Sequence, residues 1–366
     1  MIVEVIESGY VTRDDAAYPS LVRVDDRSII CGYSCGGGSS ATGGTDWARS
    51  TDGGTTWRRE GTILGRSERP VATNSLRLSR TAGGTLLAYG ARRYDTAGKA
   101  RFGRDPSEPV LCRSNDGGKT WSAPVVVAGA SADMRARAYE VTCPVVTLDE
   151  RCWLAAAGLL PEAGHLGARV VAFLSTDAGQ TWPHSPTVFH DPDGRRCFFE
   201  TKVTPLGSGR LLAVAWTVTG GDYRDLDNHY ALSDDGGRTW TRPVSTGIRG
   251  QTMTPVWLGG GRILVLYNRR YGKQGIVMQV VQLSADGWIL GPETMLWDAA
   301  GAPGELAHGA GGIDEFSDFA FGLPSALPIG DARLLAVHWC RERAAEPRAR
   351  PPERYGIRWT SLQLTE

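Results

Sequence analysis

One octapeptide recurs along the chain. Ser50-Thr-Asp-Gly-Gly-Thr-Thr-Trp57 returns as Ser114-Asn-Asp-Gly-Gly-Lys-Thr-Trp121, as Ser175-Thr-Asp-Ala-Gly-Gln-Thr-Trp182 and as Ser233-Asp-Asp-Gly-Gly-Arg-Thr-Trp240. A shortened fifth copy is Ser284-Ala-Asp-Gly-Trp288, and the five serines are 64, 61, 58 and 51 residues apart. The pattern S-x-D-x-G-x-T-W carries the chemistry of a hairpin turn. Its Asp accepts bonds from backbone N–H groups of its own turn. Gly supplies a positive φ, and Trp packs a broad ring against the neighbouring unit. Near-perfect copies at regular spacing mark a repeat architecture, in which units bury their apolar faces against one another.

A second repeat lies between the boxes: an apolar strand, a turn and another apolar strand. It begins at Tyr18, Asn74, Glu140, Glu200, Thr252 and Leu323, which makes six copies, and 366 residues divided by six leaves 61 for each. That is enough for one four-stranded blade with its loops. The 47 glycines, about 13% of the chain, fit tight turns, while 41% apolar residues and 12 Trp exclude a disordered linker. The expectation is an all-β, six-bladed β-propeller with four-stranded antiparallel blades, one domain over residues 1–366. The sixth copy has no box, and its third strand falls near residues 355–364. Its fourth strand must come from elsewhere, and Ile2-Val-Glu-Val-Ile6 alternates correctly to supply it. The two termini then close the ring and remove two open sheet edges.

Charge narrows the partners. Forty Lys and Arg balance 40 Asp and Glu, so the chain lacks the basic excess of a nucleic-acid binder. No stretch approaches 18 apolar residues, so no membrane helix is expected. The N-terminus lacks the basic-then-apolar pattern of a signal peptide, which points to the cytoplasm. Seven Cys, without a C-x-x-C pair, read as reduced small hydrophobes, and neither metal nor cofactor is expected. Asp222, Asp225 and Asp227 cluster but match no defined calcium cage.

The boxes resemble the Asp-boxes of the sialidase superfamily, and the resemblance covers essentially the whole chain. It implies that the boxes join third and fourth strands on the face away from an active site. That family uses three arginines on a substrate carboxylate, a Tyr nucleophile polarised by a Glu, and an Asp acid/base. Glu200 matches the Glu, in Glu200-Thr-Lys-Val-Thr-Pro-Leu. Asn268-Arg269-Arg270-Tyr271-Gly272 fits the slot of the third arginine. Tyr18, in Ala17-Tyr18-Pro19-Ser20, stands where the first would be, and Trp216 where the second would be. The Tyr slot holds Phe321, Gly322 and Leu323, and Asp46 is the carboxylate nearest the acid/base position. The scaffold therefore matches throughout and the catalytic set in part, which argues against an ordinary sialidase.

In this topology the starts of the first strands face the axis on the side opposite the boxes. Glu140 and Glu200 each open a first strand and come from adjacent blades. Paired carboxylates are what glycoside hydrolysis needs, one as acid and one as base or nucleophile. The candidate catalytic residues are Glu200, Glu140 and Asp46. Candidate substrate-binding residues are Tyr18, Arg92, Arg93, Lys202, Trp216, Arg269 and Arg270. The surrounding loops add charges at Arg101, Arg104, Arg135, Asp314, Glu315 and Asp318.

The leading expectation is an exo-acting glycoside hydrolase taking an oligo- or polysaccharide. Relatives resembling exo-arabinanases, which drop the arginine triad and use paired glutamates, illustrate it. Three others stay open: an exo-α-sialidase, a polysaccharide lyase using Tyr18, Tyr223 or His229, and a non-catalytic carbohydrate-binding propeller.

Overall fold

Every apolar run between the boxes becomes a strand pair, because alternating side chains bury one face against each neighbouring sheet. The computed structural model describes residues 1–38, 42–95, 105–129, 136–160, 165–299, 319–330, 332–342 and 354–365. Strand β1 (Ile2–Thr12) comes first in the chain but belongs to the last sheet. The first blade is β2 (Ala16–Arg23), β3 (Ile29–Cys35), β4 (Thr45–Ser50) and β5 (Arg58–Leu64). The second adds a short β6 (Ser67–Glu68) to β7 (Val71–Arg80), β8 (Leu86–Tyr94), β9 (Ser107–Ser114) and β10 (Val125–Val126). The third contains β11 (Ala138–Glu140), β12 (Val146–Thr147), β13 (Trp153–Leu160), β14 (Arg169–Ser175) and β15 (Thr187–His190).

The fourth blade is β16 (Arg196–Gly207), β17 (Arg210–Thr219), β18 (Asp227–Ser233) and β19 (Val244–Arg249). The fifth is β20 (Gln251–Gly259), β21 (Arg262–Arg269), β22 (Gly275–Ser284) and β23 (Gly287–Asp298). The sixth is β24 (Phe321–Gly330), β25 (Arg333–Glu342) and β26 (Arg354–Thr365), completed by β1. Strand β1 pairs antiparallel with β26 from Ile2↔Thr365 to Thr12↔Ile357. The expected ring closure is therefore what the chain does.

Among the described residues seven apolar clusters hold the ring, two between the third and fourth blades and one between each other neighbouring pair. Blades one and two share Ile30, Trp47, Leu76 and Leu86. Blades six and one share Val337, Trp339, Cys31 and Ala48, so the last interface resembles the others. Among the described residues no helix is long and apolar enough to cross a membrane.

The boxes behave as their chemistry dictates. In the second, the Ser114 hydroxyl donates to Asp116 Oδ1 at 2.8 Å and accepts from the Gly118 N–H at 2.9 Å. Asp116 also accepts from the Thr120 N–H and hydroxyl, at 2.9 and 2.6 Å. Trp57 returns its indole N–H to the Gly54 carbonyl of its own turn, at 2.8 Å. The fifth copy is too short for this network. It closes as a tight hairpin with Ser284 paired to Gly287. One element departs from the alternation. The third blade's first strand is broken between β11 and β12, where Pro144 brings no N–H to the ladder.

Candidate active site

Four first strands carry a bulge where they reach the axis. Register slips fall between Ala17 and Ser20, Phe199 and Lys202, Gln251 and Met253, and Gly322 and Ser325. Inside each slip sits a non-glycine residue at positive φ: Tyr18 at 55°, Glu200 at 49°, Thr252 at 29° and Leu323 at 47°. Such a backbone costs about 1–2 kcal/mol per residue. A bulge re-aims a side chain, and backbone strain of this kind clusters at functional sites. All four residues line one cavity. The antiparallel order puts this cavity opposite the box turns, as expected.

Glu140 and Glu200 meet there. Glu140 ends β11 and is 3% exposed. Its Oε1 accepts from the Glu200 backbone N–H at 2.8 Å. Its Oε2 lies over Gly158, where a Cβ would come within 3.1 Å, so the cross-strand glycine makes room for the carboxyl. Burial first, and then the charge of Glu200, push the Glu140 carboxyl up to about 8. The Glu200 N–H, Lys202 and Arg93 oppose that rise. Burial also raises Glu200, against the pull of Lys202, Arg270 and Arg77. Glu140 thus keeps its proton into the neutral range, as a buried carboxyl with a like charge nearby is expected to do.

Three arginines face the pair. Arg93, at the end of β8, and Arg270, just beyond β21, line the wall. The third, Arg77 in the middle of β7, was not singled out from the sequence. A charged residue inside an alternating apolar strand was the available signal. Arg77 donates to the Ser75 hydroxyl at 2.9 Å and stacks 5.5 Å from the Tyr18 ring centre. Burial lowers Arg77 and Arg270 to about 10, which leaves both charged at neutral pH.

The rest of the wall is aromatic and amide. Trp216, Phe199, Phe319 and Trp339 line it, with Tyr18 edge-on to Trp339 at 5.8 Å. Burial raises the Tyr18 hydroxyl well above its usual range, against the opposing effect of Arg93. Several buried polar atoms of wall residues have no partner among the described residues: Arg77 Nε, Arg270 Nε, Asn268 Oδ1 and Trp339 Nε1. Buried polar groups of this kind are uncommon in folded proteins and suit a polar ligand.

Other expected site residues lie elsewhere. Asp46 does not line the cavity. It bonds Arg59 at 2.7 Å and Thr62 at 2.6 Å within the first blade. Burial tends to raise its carboxyl, but the bonds from Arg59, Thr62 and Cys35 outweigh that and lower it. Arg92 points to the opposite face of β8 from Arg93, by the period of two, and pairs with Glu108 at 2.9 Å. Arg269 pairs with Glu293 at 2.6 Å, so of the two neighbouring arginines only Arg270 reaches the wall.

Lys202 lies behind the glutamates rather than on the wall, and its ammonium donates to the Thr142 carbonyl. Asp222, Asp225 and Asp227 diverge to separate partners, Arg224, Trp216 and Ser245. Among the described residues no His, Cys, Asp and Glu group of metal-binding size comes together. Arg101, Arg104, Arg135, Asp314, Glu315 and Asp318 lie outside the described residues.

Box turns at one end of the propeller and a polar cavity at the other are the arrangement that the resemblance to the sialidase superfamily implied. Residues 105–290, just over half of the 366, match the family described as BNR repeat-like domain, and the chain belongs to that family. No curated protein matches the sequence. The fold is similar to that of a protein of unknown function from Dyadobacter fermentans, with a TM-score of 0.74 and 19% identity over 99% of both chains. It is similar to the NanB sialidase of Streptococcus pneumoniae, with a TM-score of 0.65 and 12% identity over 99% of this chain and 70% of that one. It is also similar to an alpha-L-arabinanase of Penicillium chrysogenum, solved with arabinobiose. There the TM-score is 0.64 and the identity 16%, over 97% of this chain and 98% of that one. At such identities the likeness is one of fold.

Proposed function

We propose that the cavity is the active site of an exo-acting glycoside hydrolase that releases a terminal sugar bearing an anionic group, other than ordinary sialic acid. The observation that carries this reading is the Glu140–Glu200 pair, joined by the bond from the Glu200 N–H to Glu140 Oε1 at 2.8 Å. Glu140, raised to about 8, holds the proton that the leaving glycosidic oxygen needs. Glu200 is less enclosed and has Lys202, Arg270 and Arg77 favouring its charge, so it is the base or nucleophile. The glycosidic C–O bond breaks, its electrons go to the protonated oxygen, and water supplies the new hydroxyl. Among the described wall residues Arg77, Arg93 and Arg270 outnumber the two carboxylates, which supports an acidic substituent, and Trp216 and Trp339 offer sugar faces a platform.

The hydrolase reading is tested with a panel of fluorogenic glycosides, covering uronides, nonulosonides and neutral pentosides. Glu200→Gln and Glu140→Gln should each lower kcat/KM by about 10²–10⁴-fold, with unchanged circular dichroism. Wild-type turnover in both variants would sink the assignment. An ultraviolet absorbance rise from an unsaturated product would indicate a lyase instead.

A further inference from the structure

Asp225 and Gln251 lie outside the cavity wall, yet they connect two residues on it. The Trp216 indole N–H donates to Asp225 Oδ1 at 2.7 Å, and Gln251 Nε2 donates to Asp225 Oδ2 at 3.0 Å. A carboxylate only accepts. It therefore obliges Gln251 to turn its NH₂ toward Asp225 and its oxygen the other way. That oxygen, Gln251 Oε1, accepts from Arg270 Nη1, while Arg270 Nη2 donates to the Phe321 carbonyl. The guanidinium lies 3.7 Å above the Phe319 ring centre. Gly322 leaves the passage open, since a Cβ there would approach Arg270 Nη2 to 2.7 Å. The chain of bonds runs from Trp216 on the fourth blade through Gln251 and Arg270 on the fifth to Phe321 on the sixth.

We infer that Asp225 and Gln251 are positioning residues, a polarity-fixed relay that orients Arg270 and Trp216 together on the anionic sugar. This inference rests on the acidic-sugar reading above. The relay's direction is set by the acceptor-only end at Asp225. Asparagine in its place keeps an oxygen for Trp216 but faces Gln251 with a donor. The Gln251 amide then rotates, and a donor meets the Arg270 guanidinium. Replacing Gln251 by Glu in the same chain restores the pattern. The introduced asparagine amide donates to one carboxylate oxygen and Arg270 to the other.

The experiment compares wild type, Asp225→Asn and Asp225→Asn/Gln251→Glu. Calorimetry measures the dissociation constants of D-glucuronate and D-glucose, and crystal structures of all three proteins locate Arg270. Asp225→Asn should weaken glucuronate by about tenfold, the loss of a charge-assisted bond, and leave glucose unchanged. The double variant should return to within about threefold of wild type, well inside that tenfold. Equal weakening of both sugars, or a double variant that regains thermal stability without regaining glucuronate selectivity, overturns the relay. Should wild type bind no acid sugar, the substrate reading falls. The relay then stands if Arg270 leaves the Phe321 carbonyl in Asp225→Asn and returns in the double variant, and falls if Arg270 does not move.

Discussion

At the scale of single residues, Glu140 is the most constrained titratable group on the wall. Its folded pKa of about 8 lies above its ordinary 4.5, so the folded state binds its proton more tightly. The stability it contributes is complete below about pH 4.5 and drains away as pH rises through 8. Lys202 is lowered from 10.5 to about 8, first by burial and then by Arg77, so its own contribution changes only above that window. Glu140→Gln keeps an oxygen for the Glu200 N–H and cannot ionise. Chemical denaturation at pH 5 and pH 8 should show wild type losing stability, on the order of a few kcal/mol. The glutamine variant should lose much less. Parallel losses in the two proteins would place the titration elsewhere. If catalysis is as proposed, kcat/KM of wild type falls on the alkaline side near the same pH.

At the scale of elements, turns and bulges divide the labour. Box turns spend their Ser, Asp and Thr side chains on their own backbone. Asp235 accepts from the Ser233 hydroxyl at 2.8 Å, and from the Thr239 N–H and hydroxyl at 2.9 and 2.6 Å. Asp235→Ala should cost about 1–2 kcal/mol, comparable to the loss of a helix cap. Thermal denaturation measures that loss, and turnover at room temperature should be unaffected because the box sits at the far end of the blade. Mouth bulges do the reverse. They give up regular pairing at Tyr18, Glu200, Thr252 and Leu323, and direct those residues to the axis. Box residues were readable because the Ser, Asp and Thr bonds that define each turn span at most four residues. The bulges were not, because a slip is defined against the partner strand.

At the scale of the whole molecule, closure is what the ring depends on. Strand β1 covers β26 and buries Val3 and Val11. A chain lacking residues 2–12 exposes the β26 edge, an invitation to pairing with other chains. Its melting temperature should fall by several degrees, and light scattering should show association. A synthetic peptide of residues 2–12 added in excess should reverse both. Failure of the peptide to act would argue that the sheet does not close through this strand. The balanced net charge also looks different in place. Balanced over the whole chain, the charge is not balanced on the cavity wall, where Arg77, Arg93 and Arg270 gather; on the proposed reading, low-dielectric walls focus their field on an entering anion.

The sequence by itself determined the number of blades, the box turns and the closure by the two termini, and the box resemblance pointed to the end of the propeller that holds the cavity. It also singled out Glu140, Glu200, Tyr18, Arg93, Trp216 and Arg270, all of which line one cavity. Blades and boxes repeat at a fixed period, so they are written in short stretches of chain, and the site residues followed from the repeat's position and from the sialidase-superfamily resemblance. Only the tertiary structure decided the rest. It turned Arg92, Arg269 and Asp46 into blade-edge pairs, brought Arg77 and Trp339 to the wall, and joined Asp225 to Gln251 across two blades. Those contacts link residues far apart in the chain or depend on which strand face points inward. Cross-strand register and blade packing set both, and no local pattern encodes them.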